Sequence, residues 1–289
     1  MLNSIRSKQI IAVAAVMLLI AFLFTRDIKG LVKPKEETTK GPVAGAQMAA
    51  ETPATIDLKE VSTAAKNILG GITATEITNL EQAYNSASED DKGFAAKALA
   101  QKWNSVDQDV PSALYLEILA NKEQSLINWI AAGDKFVKAF DNTRDSVLQP
   151  ALLQKANASY KSALAIDSAS IDAKTGLGIT IVDGMGMPMQ GIAMLLDVVK
   201  KDPKNLKANM SLGTFAIKSG QFDKAITRFK DIIAIKPSPD AYFYLATAYE
   251  NLGRNAEAVD AYAKSKKLAG NPTLSKFIDD KIIELKSKS

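Results

Sequence analysis

From Asp57 onward, apolar residues recur three and four positions apart, the spacing that lays one stripe along a helix. Leu58, Val61, Ala65, Ile68 and Leu69 make the first stripe, and Gly70-Gly71 ends it. Thr73 and Glu76 have the spacing of a capping box ahead of Ile77, Leu80, Tyr84 and Ala87. Ser88 and Asp91 repeat that device before Phe94, Ala98, Leu99, Trp103 and Val106. Trp103 and Trp129 fall on apolar stripes and read as core. No stretch of useful length alternates with period two, so the structured part is predicted to be all-α.

The helical pattern also repeats at long range. Gly191, Leu195 and Pro203 recur 34 residues later as Ala225, Phe229 and Pro237, and Ala258 and Tyr262 follow 33 residues after Ala225 and Phe229. Gly220 recurs as Gly253. Around these markers stand Leu177-Gly178, Leu212-Gly213, and the run Tyr242, Leu245, Ala246 and Tyr249. A looser match precedes them. Trp129, Ala132, Gly133 and Phe136 answer to a first helix and Ala156, Tyr160 and Ala163 to a second, separated by an insertion in "DNTRDSVLQPALLQ". Ala113 and Ala120 point to an earlier unit still. Small residues where two helices cross let their backbones approach, the large residue four positions on fills the groove between them, and the proline ends the unit.

This period, with small, aromatic and proline markers in this order, resembles the tetratricopeptide repeat, a helix–turn–helix unit. The resemblance covers residues 93–271, in units at about 93–125, 126–170, 171–205, 206–238 and 239–271. A helical pair at 56–92 precedes them. Residues 272–289 read as a capping helix, with Leu274, Phe277, Ile278, Ile282 and Leu285 on its apolar face. The resemblance implies an α-solenoid scaffold whose first helices line a concave surface that receives a protein or peptide segment. Helix positions 2, 5, 9, 12 and 13 would face it: Lys207, Met210, Thr214, Ile217 and Lys218 in one unit, and Asp240, Phe243, Thr247, Glu250 and Asn251 in the next. In the two units before, Asp172, Thr175 and Ile179, and Ile127, Ile130 and Asp134, take the first three places. Relatives that clamp a C-terminal carboxylate carry Lys and Asn at positions 5 and 9. This chain has Ile130/Asp134, Thr175/Ile179, Met210/Thr214 and Phe243/Thr247 there, so an amphipathic or extended apolar segment is the expected partner.

The N-terminus follows another pattern. Behind a basic head at 1–9, fifteen apolar residues run unbroken from Ile10 to Phe24. At about 1.5 Å per residue they cover roughly 22 Å, and Gln9, Thr25 and snorkelling Lys8 and Arg26 extend that toward the ~30 Å of a bilayer core. Phe24-Thr-Arg-Asp is a poor cleavage site, so residues 10–25 are expected to remain as a transmembrane signal anchor. Arg6 and Lys8 favour a cytoplasmic N-terminus, which places the array outside the cytoplasm at the inner membrane. Residues 26–55, rich in Lys, Glu, Thr, Pro, Ala and Gly, read as a flexible linker. Anchored arrays resembling this one belong to bacterial envelopes, where they assist the assembly, folding or secretion of other proteins.

Composition narrows the chemistry. The 289 residues include no His and no Cys, which removes imidazole and thiol catalysis, thiolate metal sites and disulfides. No enzymatic activity, small-molecule substrate or cofactor is expected. The net charge is +4, but residues 1–40 hold seven basic and three acidic side chains, leaving 29 of each sign in the rest. A neutral body argues against nucleic acid as a partner. The glycines of "GLGITIVDGMGMPMQG" lack the spacing of a dinucleotide loop. Met185, Met187 and Met189 supply soft thioethers in alternation, the ligands of a Cu(I) carrier, against the plainer reading of gap-filling methionines in a turn. Asn157-Ala-Ser and Asn209-Met-Ser are sequons inside predicted helices, and the acids at 89–91 and 279–280 sit at a helix start and on a solvated face.

Overall fold

The structure is a computed structural model that describes residues 55–184 and 186–287. The expected basic head and anchor, and all but the last residue of the expected linker, lie outside the described residues, as does Met185. Thirteen α-helices and no strand occur among the described residues: α1 (Leu58–Leu69), α2 (Gly71–Ser86), α3 (Lys92–Ser105), α4 (Asp109–Glu123), α5 (Leu126–Asn142), α6 (Leu148–Ile166), α7 (Ile171–Gly184), α8 (Pro188–Lys201), α9 (Leu206–Lys218), α10 (Phe222–Ile235), α11 (Pro239–Asn251), α12 (Asn255–Ala269) and α13 (Pro272–Ser287). Consecutive helices pack as antiparallel hairpins, the hairpins stack, and the whole is a tetratricopeptide-like α-solenoid.

Local chemistry sets the helix ends. Asp57 accepts the amide of Glu60 at 2.8 Å ahead of α1, Asn205 that of Ala208 at 3.0 Å ahead of α9, and Ser238 that of Ala241 at 3.2 Å ahead of α11. Each satisfies an N-terminal donor that the helix itself cannot. Gly220 and Gly253 turn the chain between paired helices with φ of +73° and +71°, a region that side chains with a Cβ rarely enter.

Small residues hold the stack together. The Tyr160 ring, from α6, is wedged between Gly133 of α5 and Gly176 of α7, and a Cβ on either glycine would collide with it. Leu195 lies against Gly178 in the same way, and Phe229 against Gly213. At Gly191 the α8 backbone crosses that of α7, so a Cβ there would meet the Gly178 carbonyl at 2.6 Å. The core is accordingly a train of clusters in which each hairpin shares buried residues with the next.

Several sequence expectations are corrected. The insertion in the 126–170 unit does not separate its two helices by its full length. Its residues lengthen α5 and α6 and leave only 143–147 as connection, since Asp145 Oδ1 accepts the amides of Val147 and Leu148 and starts α6 early. Thr73 and Glu76 form no capping box, because α2 starts directly at Gly71 and holds both within it. Ser88 and Asp91 do bond reciprocally: the Asp91 amide donates to Ser88 Oγ, and Ser88 Oγ donates to Asp91 Oδ2. Phe94 is exposed, because α3 packs on α4 through the small-residue face of Gly93, Ala96 and Ala100 and turns the phenyl outward. Ile68 is exposed as well, while Leu58, Val61, Ala65 and Leu69 carry the α1 packing. Phe277 leaves the buried face of α13, which is held by Ile278 and Leu285. Trp103 and Trp129 are buried.

One buried ionic network fastens three successive helices. Asp109, at the start of α4, accepts from Lys135 Nζ at 2.6 Å and Asn142 Nδ2 at 2.7 Å and pairs with Lys138 at 3.2 Å, all on α5. Lys135 also donates to Asn104 Oδ1 of α3. Burial alone would push the Asp109 carboxyl up, but hydrogen bonds from Lys135, Asn142 and Lys138 outweigh it and hold the pKa below the ordinary range.

The network and the glycine contacts each make a stability prediction. Asp109→Asn leaves Lys135 buried without its counter-charge, so a loss of about 3 kcal/mol is expected in urea unfolding at pH 7. The folded carboxyl titrates below the unfolded value of about 3.9, so the wild-type advantage is complete above roughly pH 5 and disappears as pH falls through the folded pKa. Equal stability at pH 7 would show that the network contributes nothing. Gly213→Ala would stabilise an exposed helix by about 1 kcal/mol. Here its Cβ would lie 2.7 Å from Phe229 Cζ, and a loss of about 1–3 kcal/mol is expected instead. Combining it with Phe229→Leu, the residue type that stands beside Gly178, should destabilise less than the two single changes summed; strict additivity in thermal unfolding would rule out the contact.

Candidate functional site

The first helices of successive hairpins touch one another as well as their partners: α5 meets α7, α7 meets α9, and α9 meets α11. That makes them the inner row of the stack. On this inner face two adjoining hollows of about 420 and 390 Å³ form one groove. Val137, Ile179 and Met210 supply the apolar wall of the first, and Ile217, Phe243 and Tyr244 that of the second. Asp141, Asp183 and Thr214 line both and mark the waist between them.

The expected groove residues divide into several groups. Asp134, Ile179, Lys207, Met210 and Thr214 line the first hollow; Thr214, Ile217, Lys218, Phe243 and Thr247 line the second. Lys207 reaches over α7 to Asp134, 3.1 Å away and 73 residues earlier, and Asp134 also accepts from the Tyr160 hydroxyl at 2.8 Å. Thr175 does not face the groove: it is buried, and its hydroxyl donates to Ile171 O within its own helix at 2.8 Å. Ile130 packs into the cluster of Ala120, Trp129 and Ala132, while Ile127 and Asp172 lie outside the two hollows. Asp240 and Asn251 are exposed, and Asn251 donates to Thr247 O. Glu250 is occupied by packing, accepting from Tyr262 at 2.7 Å and from Lys281 of α13 at 2.8 Å.

Sequence reasoning missed Val137, Lys138, Asp141, Tyr160, Asp183, Tyr244 and Phe277. Val137 and Lys138 hold positions 12 and 13 of α5, and Asp183 holds position 13 of α7, places that the repeat also directs inward, while Asp141 lies past position 13 in the lengthened end of α5. Tyr160 reaches the groove from a second helix through the gap its two flanking glycines leave. Phe277 belongs to the capping helix, yet its ring lies 6.1 Å from that of Phe243 and extends the aromatic end. Carrying the position rule to places 12 and 13 of the 126–170 and 171–205 units was the available signal for Val137, Lys138 and Asp183.

The waist is electrostatically uncomfortable. Asp141 stands in the last turn of α5 and Asp183 in the last turn of α7, where the exposed carbonyls of a helix end favour cations. Both carboxyls are pushed up, Asp141 by burial and then by the charge of Asp183, and Asp183 by burial, with Lys218 opposing in each case. Lys218 lies 3.8 Å from Asp183. Lys138 and Lys207 are committed to Asp109 and Asp134. Asp141 has neither ion pair nor hydrogen bond among the described residues. The Tyr244 hydroxyl is raised by burial and then by Asp240 and Asp141.

Of the candidate copper ligands, Met187 precedes α8 and Met189 lies in its first turn, both exposed. Asn157 and Asn209 are buried helix residues, bonded to Thr180 Oγ1 and to Pro203 O respectively.

Comparison with known proteins agrees with this architecture. A tetratricopeptide repeat family model matches residues 212–272, from the middle of α9 to the start of α13. No curated protein matches the sequence. Among solved structures, TTC0263, a thermophilic tetratricopeptide protein of Thermus thermophilus, superposes with a TM-score of 0.54 at 18% identity, over 66% of this chain and 99% of its own. MamA gives 0.44 at 20% identity over 61% and 91% of the two chains. YrrB, described as having an unusual peptide-binding site, gives 0.43 at 16% over 68% and 98%. The fold likeness rests on the Thermus protein, and the repeat assignment on residues 212–272. The described helices are thus a tetratricopeptide-like solenoid, within which residues 212–272 match the tetratricopeptide repeat model.

Proposed function

We propose that this protein is a non-catalytic scaffold, tethered to the inner membrane by residues 10–25, that holds a segment of another protein in the inner groove of its solenoid. The observation carrying this reading is the pair of adjoining hollows, into which Ile179, Met210, Ile217 and Phe243 present half-buried apolar surface. The groove hydroxyls are largely spent within the fold, Thr214 on Ser211 O, Thr247 on Phe243 O and Tyr160 on Asp134, so the walls recognise apolar shape more than they donate hydrogen bonds. Envelope-protein assembly, folding or secretion is the role that fits a tethered array outside the cytoplasm. The uninterrupted apolar run and its flanking Lys and Arg support the tether. A chain without His or Cys supports the absence of catalysis.

Met210→Glu combined with Phe243→Glu is expected to lower affinity for partners captured by crosslinking at least about tenfold, since each large apolar contact is worth about 1.5–3 kcal/mol. Circular dichroism should show the double variant folded; a folded variant that captures partners as well as the parent would move the binding site elsewhere. For the tether, a fragment of residues 56–289 should be soluble, helical and cooperative in melting. A reporter active only outside the cytoplasm should work when fused after Ser289. Activity from cytoplasm-dependent reporters alone would reverse the orientation.

A further inference from the structure

Resting on the groove reading, we infer that the waist of the groove receives a Lys or Arg side chain of the bound segment, with an apolar residue of that segment seated in the hollow on either side. The charge arrangement carries this. Asp141 and Asp183 come from neighbouring inner helices, and both line the constriction shared by the two hollows. Each sits in the final turn of its helix, so the carbonyl ends of α5 and α7 add negative potential at the same place. The two carboxylates together face only Lys218, which approaches Asp183 and leaves Asp141 without an ion pair among the described residues. Lys138 and Lys207 also line the first hollow but are paired with Asp109 and Asp134, so two solvent-accessible carboxylates and two helix C-termini meet one lysine at the waist, and a cation of the segment can add a charge-assisted contact beside the apolar walls.

The occupant is a side-chain cation and not a metal ion, because no group of three or more carboxylates among the described residues is placed to hold one. Its neighbours in the segment are fixed by the walls: Val137, Ile179 and Met210 on one side of the waist, Ile217 and Phe243 on the other. The recognised pattern is therefore apolar, cationic, apolar. A purely apolar ligand would bury Asp141 with no partner, at the cost of an unpaired charge. Selectivity thus comes from rejecting neutral and acidic segments as much as from attracting basic ones.

The test uses the full-length chain and fluorescein-labelled decapeptides with one central residue between two leucines, that residue being Lys, Arg, norleucine, Gln or Glu. Fluorescence anisotropy is expected to show the Lys and Arg peptides bound at least about tenfold more tightly than the norleucine peptide, with the Glu peptide weakest. Asp141→Asn with Asp183→Asn preserves shape and should erase the Lys preference while leaving norleucine binding in place; circular dichroism confirms folding. Equal binding of Lys and norleucine peptides, both abolished by the Met210 and Phe243 changes, would overturn the cation pocket and leave the groove reading standing. Failure of every peptide to bind would overturn both. A photocrosslinker at Ser211 that recovers a second copy of this chain, or its own residues 26–55, in place of the peptide would also overturn the proposal of an external segment.

Discussion

The solenoid depends on how closely its helices are allowed to approach, and that distance is set by where side chains are missing. Tyr160 is held between Gly133 and Gly176, so one ring serves as the spacer for three helices. The Gly178–Leu195 and Gly213–Phe229 pairs repeat the arrangement one and two hairpins further on, and Gly191 brings two backbones nearly into contact. Because a packed interior tolerates little change in volume, these contacts fix the pitch of the stack and with it the width of the inner groove. No hairpin has enough apolar surface to stand alone, so each unit depends on its neighbour for a core.

Polar contacts act at a second level, choosing among arrangements that packing would allow. Asp109 gathers Lys135, Lys138 and Asn142 from α5, and Lys135 extends the network to α3. At the other end Glu250 joins α11 to Tyr262 and to Lys281 of α13, which makes the last helix a continuation of the inner row as well as a lid on the core. These groups are satisfied in place. At the groove waist Asp141 is not: it stands, like Asp183, at the C-terminal end of its helix, the Asp183 charge opposes its own, and Lys218 pairs with Asp183 alone. Charges arranged against the stability of the fold concentrate where a ligand completes them.

The long α5 connects these two levels. Lys138, at the end of its ordinary register, pairs with Asp109 on one side, and the added turn beyond it brings Asp141 into the groove on the other. An irregular unit inside an otherwise regular array thereby gives the inner surface a feature that no exact repeat would have.

The sequence by itself determined the helical class, the 33–34-residue period and the identity of the crossing residues, because those depend on local spacing and on side-chain size. Gly220, Ala225, Phe229, Ala258 and Tyr262 hold the turns and crossings that their recurrence implied. Asp134, Met210, Thr214, Ile217 and Phe243 reached the groove because the unit repeats faithfully enough for a helix position to imply a direction. Only the tertiary structure decided the rest. Thr175 shares its helix position with Met210 but is buried, since α7 is drawn in by Gly176 and Gly178. Phe94 and Ile68 look inward by periodicity yet face out, Phe94 because the small Gly93, Ala96 and Ala100 make the contact with α4, and Ile68 because Leu58, Val61, Ala65 and Leu69 hold the packed face of α1. Asp141 and Asp183 lie 42 residues apart, a separation that is no multiple of the repeat. Asp183 stands at position 13, which the repeat directs inward, but Asp141 joins it at the waist only because α5 continues past that position, a length set by where the helix ends and not by the repeat.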